Sequence, residues 1–239
     1  MGKYLKGALI LALAALICLG IGLYLFYPEL EESGFIDYLR YRSNPDSVEL
    51  PVASELARCE GVPFIIPTSG WIGVMYGDSI LGTQQHSGLD IFSPDGNGAS
   101  PVYAAYDGYA TRLPEWTSAV IIRHPQDPLN PARQIWTYYT HMADAEGNDY
   151  IVDQIPRGAY ELPVKQGTLL GYQGDFNGFS PRRISTHLHF SIVKDDGQGN
   201  FLNETDLANV LDPSPYLGMR LNTQCADRPP ACRIDVECP

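Results

Sequence analysis

Past position 30 the chain has none of the Ala-Leu-Glu-Lys runs that build long amphipathic helices. Gly (23), Pro (19) and Tyr (15) are plentiful instead, which points to many short strands and turns. Basic charge is also short: 16 Lys and Arg stand against 28 Asp and Glu, a formal net charge of −12. Such a surface repels nucleic acid and other anionic polymers at long range, so it argues against a nucleic-acid partner. There is no internal repeat and no low-complexity tract. The H-E-x-x-H pattern of helix-borne zinc sites is missing too.

One stretch lacks charge altogether. Between Lys6 and Glu29, residues 7–27 are uncharged, and 21 residues at about 1.5 Å each span about 30 Å, the hydrocarbon thickness of a bilayer. Lys3 and Lys6 precede the stretch and Glu29, Glu31 and Glu32 follow it. The reading is an uncleaved single-pass transmembrane anchor within residues 1–28, with the N-terminus cytoplasmic and the rest outside. A cleaved signal peptide is the rival. Its apolar region would be shorter and end in a small-x-small site, which Gly20-Ile-Gly22 matches poorly. Cys18 reads as a membrane-facing thiol. Residues 29–62 form a polar connector, with a short helix expected at 35–41. The main domain is expected at 63–217 and a cysteine-containing tail at 218–239.

Four cysteines lie beyond the apolar stretch: Cys59, Cys225, Cys232 and Cys238. An even number in an exported domain implies two disulfides, with three pairings open. The expectation is that Cys59 ties the domain's start to its tail. A zinc knuckle is disfavoured, because the tail cysteines lack C-x₂₋₄-C spacing.

Within 63–200 no convincing amphipathic helix is present. Strand-like runs occur at 102–105, 109–113, 118–123, 135–141, 169–172 and 187–193. Asp107-Gly108 separates the first two, a hairpin signal. The fold class is therefore mostly β: an antiparallel sheet domain curled into a groove or partial sandwich, preceded by one transmembrane helix.

The chemistry rests on five histidines: His86, His124, His141, His187 and His189. His86-Ser-Gly-Leu-Asp90 places an imidazole and a carboxylate four residues apart, and a turn at Gly88 can bring both to one point. His187-Leu-His189 opens a strand-like run, so both imidazoles face the same side. His141 ends another. Catalytic zinc usually takes three protein ligands and leaves one position open, which two histidines and a carboxylate fit. Two more histidines remain to handle protons and steady an oxyanion. H-x-x-x-D alone is commonplace, and H-x-H on a strand is a better signal, since burying two imidazoles side by side is costly without a reason; the combination is hard to obtain by accident.

In order and flanking residues this pattern resembles the lysostaphin-type, or LytM-like, zinc peptidases of peptidoglycan. The residues carrying the resemblance are His86-Ser-Gly-Leu-Asp90, Pro101-Val-Tyr-Ala-Ala-Tyr-Asp-Gly108 and Tyr139-Thr-His141. They continue through Lys165-Gln-Gly167, Leu170-Gly171 and His187-Leu-His-Phe190 to Asp212-Pro-Ser-Pro-Tyr-Leu217. The resemblance implies a groove-forming β domain, one Zn²⁺ per chain, and peptidoglycan peptides as substrate; the alternatives are a non-catalytic LytM-like module that binds wall or activates other hydrolases, and a zinc peptidase acting on proteins outside the cytoplasm. It implies His86, Asp90 and His189 as metal ligands and His141 and His187 as catalytic histidines, without saying which is the base. His124 takes no ligand role and reads as a surface or packing residue. The expected partners are the wall peptides and the membrane; a protein regulator is left open. Long loops at 125–134, 142–163 and 175–186, and Thr186 where Pro is common, depart from the family pattern and bear on substrate choice. Arg182 and Arg183 lie before His187 and could meet a stem-peptide carboxylate, although two solvated arginines are the plainer reading.

Overall fold

A computed structural model describes residues 12–13, 15–22, 24, 43, 52–79, 85–178, 183–227 and 230–238. The helix expected at 35–41 and Arg182 lie outside the described residues, as does part of the expected span at 7–27. The described part of that span is helical. Among the described residues no helix is long and apolar enough to cross a membrane.

Among the described residues, twelve strands make up the domain. They are β1 (Val52–Ala53), β2 (Gly70–Val74), β3 (Leu89–Phe92), β4 (Pro101–Tyr103), β5 (Gly108–Thr111) and β6 (Val120–His124), followed by β7 (Ile135–Thr140), β8 (Leu162–Val164), β9 (Leu169–Tyr172), β10 (Gly174–Phe176), β11 (Arg183–Lys194) and β12 (Val210–Leu211). The main sheet runs β1-β2-β3-β11-β7-β6-β5-β8, with β10 and β12 also paired to β11; β4 and β9 form a second, small sheet. Every strand pairing is antiparallel.

The long central strand β11 shows why the sequence folds this way. Its period-2 pattern sends Leu188, Phe190 and Ile192 to one face, all completely buried. They join Leu89 and Ile91 of β3, Tyr139 of β7, Val120 and Ile122 of β6, and Val102 and Leu170 of the small sheet in the main core. Burying each such side chain contributes about 1.5–3 kcal/mol. The opposite face of β11 carries His187, His189, Ser191 and Val193. There Val193 packs with Ile121, Trp136 and Val210 in a second, smaller cluster. One sheet thus presents an apolar face to the core and a face bearing histidines.

The hairpin expected at Asp107-Gly108 does not form. β4 pairs with β9, whereas β5 pairs with β6 and β8. A type I′ turn needs positive φ at both central residues, and neither residue has it. Instead the Asp107 carboxylate accepts hydrogen bonds from Lys165 Nζ (2.9 Å) and the Gln166 backbone N–H (2.8 Å), which ties this corner to the turn between β8 and β9. The short strands β1, β2, β3, β8, β10 and β12 escape the sequence reading, being two to five residues long. Disulfides join Cys59 to Cys232 and Cys225 to Cys238. The first staples the start of the domain to its tail, as expected.

Candidate metal centre

Sheet register builds the site. His189 lies directly opposite Asp90 on β3 and Thr140 on β7, and His187 lies opposite Phe92. Paired residues share a face, so Asp90 is brought against His189 by the ladder itself. His86 reaches the same point from the segment before β3. Gly88 in that segment lets the backbone pass the carbonyl of Phe190, which an added Cβ would approach to 2.3 Å.

Three atoms converge. His86 Nε2 lies 3.0 Å from Asp90 Oδ1 and 3.0 Å from His189 Nδ1, and His189 Nδ1 lies 3.0 Å from the same Asp90 oxygen. Their ring tautomers follow from the outer nitrogens. His86 Nδ1 is 3.1 Å from the carbonyl oxygen of Met75, to which its N–H can donate. His189 Nε2 is 3.3 Å from a Glu204 carboxylate oxygen, an ion-pair distance without hydrogen-bond alignment. With the protons on the outer nitrogens, two imidazole lone pairs and a carboxylate oxygen face one another. Such a trio repels itself unless a positive charge sits among it. Tetrahedral zinc, at about 2.0–2.1 Å from each ligand, spaces its donors about 3.3 Å apart, close to this triangle. The donor set of two imidazoles and a carboxylate fits zinc.

The electrostatics agree. Burial alone would raise the pKa of Asp90, but His86 and His187 with the hydrogen bond to His189 hold it well below the usual carboxylate range. Burial would lower that of His189, yet Asp90 and Glu204 outweigh it and hold the group up at about 10. The site therefore demands a cation at Nδ1, which a proton or a metal ion can satisfy.

His141 and His187 stand beside the trio rather than in it. His141 Nδ1–H donates to the carbonyl of Phe176 (2.6 Å) and His187 Nδ1–H to that of Ser185 (2.6 Å), leaving each Nε2 with a lone pair. Their rings lie 4.5 Å apart, and His187 Nε2 is 3.6 Å from Asp90 Oδ1. Burial, then the neighbouring His187 and His189, pull the pKa of His141 down to about 3; burial likewise lowers that of His187. Both rings are thus neutral at neutral pH.

His124 is far from this cluster in role. It is 1% exposed and packs against Phe64 and Tyr106. Its Nδ1–H donates to the carbonyl of Asp107 (2.7 Å) and its Nε2 meets the Thr137 hydroxyl (2.9 Å). Of the two sequence alternatives it is the packing residue. Arg183 begins β11, and its side chain lies outside what the structure describes. Sequence reasoning missed Glu204 and Ser87, whose hydroxyl donates to Glu204 (3.1 Å). Glu204 sits in the loop after β11, and no motif or spacing signals it.

No protein-family model matches this chain, and no curated protein does. Solved structures do. One is Csd3 of Helicobacter pylori, at 19% identity and a TM-score of 0.41, covering 66% of this chain and 33% of that one. Another is the catalytic domain of the antimicrobial peptidase lysostaphin from Staphylococcus simulans, at 22% identity and a TM-score of 0.39, covering 61% of this chain and 90% of that one. A third is a mutant catalytic domain of the prophage-encoded M23 protein EnpA from Enterococcus faecalis, at 24% identity and a TM-score of 0.35, covering 62% of this chain and 95% of that one. This chain therefore spans only a third of the length of Csd3. At these scores the likeness carries no argument about activity, which rests on the site itself. In the order of its site residues the chain resembles the lysostaphin-type, LytM-like peptidases.

Proposed function

We propose that the chain is a zinc metalloendopeptidase that hydrolyses peptide bonds in peptidoglycan stem peptides or cross-bridges. The observation that supports it best is the convergence of His86 Nε2, Asp90 Oδ1 and His189 Nδ1 within 3.0 Å of one another, flanked by two neutral histidines. The substrate class rests on the resemblance of the motifs. In this reading His86, Asp90 and His189 hold one zinc ion. Bound there, zinc supplies a Lewis acid that polarises a peptide carbonyl and makes attack by water feasible near neutral pH.

The remaining steps belong to the chain's own side chains. His141 and His187 each keep an Nε2 lone pair, because a backbone carbonyl holds the Nδ1 proton, and that of His187 lies 3.6 Å from Asp90 Oδ1. One of them accepts a proton from the attacking water. The other, once it has taken up a proton from solvent at Nε2, becomes a donor that steadies the carbonyl oxygen as negative charge develops on it, and the proton taken from the water is then passed to the leaving amine. Burial disfavours imidazolium in both, so a proton once accepted is readily given up. Residues 7–27 serve in this proposal as a single-pass membrane tether, with the catalytic domain outside the cytoplasm, where its disulfides are at home.

The test is digestion of purified peptidoglycan by the full chain, with mass spectrometry of released muropeptides and an unfolded protein as a parallel substrate. New peptide termini in the wall, abolished by chelation and restored by zinc, are the expected result. Cleavage of the protein alone would move the substrate off the wall. No cleavage of either by zinc-loaded protein would overturn the enzyme.

A further inference from the structure

We propose that Glu204 is a positioning residue for the metal centre: its carboxylate fixes the His189 ring so that Nδ1, and not Nε2, is presented to the ion. The proposal rests on the reading of His86, Asp90 and His189 as ligands. Its starting point is an orphan. His189 Nε2 is buried without an aligned hydrogen-bond partner, and Glu204 Oε2 lies 3.3 Å away. The same oxygen accepts a hydrogen bond from Ser87, the neighbour of His86. One carboxylate oxygen therefore touches both segments that bring the two ligand imidazoles to the site.

Glu204 is held there from both sides. Before it, the Asp196 carboxylate closes a turn on the Gln198 and Asn200 backbone N–H groups. Leu202 N–H then returns to the carbonyl of Lys194 (3.1 Å), and Phe201 packs on Trp116 and Trp136. After it, Asp206 caps the 3₁₀ turn Leu207–Asn209 through the Ala208 N–H. The loop thus delivers a partly buried carboxylate to a buried imidazole.

The choice of partner matters chemically. His86, His141 and His187 all turn their outer nitrogens to neutral backbone carbonyls. His189 alone of these four has a carboxylate. A charged acceptor behind a metal-bound imidazole fixes its tautomer and makes it a stronger donor. Asp90 and Glu204 together also carry two negative charges, which match those of a divalent ion.

The experiment measures zinc affinity of the full chain by chelator competition, alongside the visible spectrum of the Co²⁺-substituted protein. Glu204→Gln keeps size and shape and removes the charge. It should bind zinc roughly 10- to 100-fold more weakly and shift the Co²⁺ bands, with the melting temperature of the metal-free protein little changed. Wild-type affinity in this variant overturns the proposal. So does a loss of melting temperature with affinity intact, which marks a merely structural carboxylate. Should Glu204→Gln fail to fold, Ser87→Ala keeps the charge but releases its tether, and a several-fold loss of affinity is expected; no loss there overturns the proposal equally. If wild-type protein itself binds no zinc, the ligand assignment fails first, and that is seen before any variant is made.

Discussion

His141 donates its Nδ1–H to the carbonyl of Phe176 across 2.6 Å, from a backbone held at φ +72°. A non-glycine residue in that region costs of order 1–3 kcal/mol and persists only where its surroundings enforce it. Here they do. Asp175 and Phe176 N–H groups both donate to the carbonyl of Ala143 (2.9 and 3.1 Å), which locks β10 under the turn that carries His141. Gly174 makes this approach feasible: an added Cβ would stand 2.0 Å from the oxygen of Ala143 and 2.6 Å from that of His141. Gly174→Ala should therefore displace β10 and misplace His141. The expected result is a rate roughly 10- to 100-fold lower with zinc content unchanged. Full activity would show that the Phe176 contact does not position His141.

The division between ligands and proton-handling groups gives a second prediction. His189→Ala, Asp90→Ala and His86→Ala each remove one of three converging donors, so zinc per chain should fall steeply and activity with it. His141→Ala and His187→Ala should retain about one zinc per chain and lose on the order of 10²–10⁴ in rate. Zinc content and wall-digestion rate, measured side by side for the five variants, check it. If His141→Ala lost the metal, or His189→Ala kept metal and activity, the roles would be wrong.

What the sequence made legible is the part governed by local rules. His187-Leu-His189 could be placed on one strand face because strand periodicity is fixed, and His86 and Asp90 could be joined because a glycine lies between them. Other features depend on contacts between distant segments, which local pattern does not carry. Asp107-Gly108 has the composition of a hairpin turn, yet Lys165 and Gln166 claim its carboxylate and the flanking strands go to different sheets. β3 is four residues long and holds Asp90 in register with His189; its shortness hid it. Glu204 is an acidic residue in a polar loop until the ladder sets it beside His189.

The two disulfides close loops of very different length, 173 residues for Cys59–Cys232 and 13 for Cys225–Cys238. In the chain-entropy account the longer loop restricts the unfolded chain more, by about 2 kcal/mol over the shorter. Cys232→Ser paired with Cys59→Ser should accordingly lower unfolding free energy more than Cys225→Ser with Cys238→Ser does. Denaturant unfolding of both double variants decides the order. Equal losses would mean that the tail retains structure in the unfolded state.

Protonation of His124 should cost stability as the medium turns acid. Burial, the first cause, pulls its pKa from about 6.5 down to about 4, although the carbonyl of Asp107 and the charges of Asp127 and Asp107 act the other way and Arg123 adds to the lowering. A protonated ring would also turn an N–H toward the Thr137 hydroxyl, which is 2.9 Å from Nε2 and itself meets the Tyr139 hydroxyl at 3.1 Å. The folded pKa lies below the unfolded one, so between them the unfolded chain binds more protons. The contribution is therefore complete above pH 6.5 and is lost as pH falls through about 4, with a full span of about 3 kcal/mol. His124→Gln retains an amide in the pocket and cannot titrate there. Near pH 7.5 the wild type should be the more stable of the two, and the gap should close as pH falls toward 4, because titration of the other histidines is common to both proteins. Chemical denaturation at a series of pH values reads the gap directly. A gap that stays constant from pH 7.5 to 4.5 would show that His124 does not carry this proton, and that the acid sensitivity of the fold lies elsewhere.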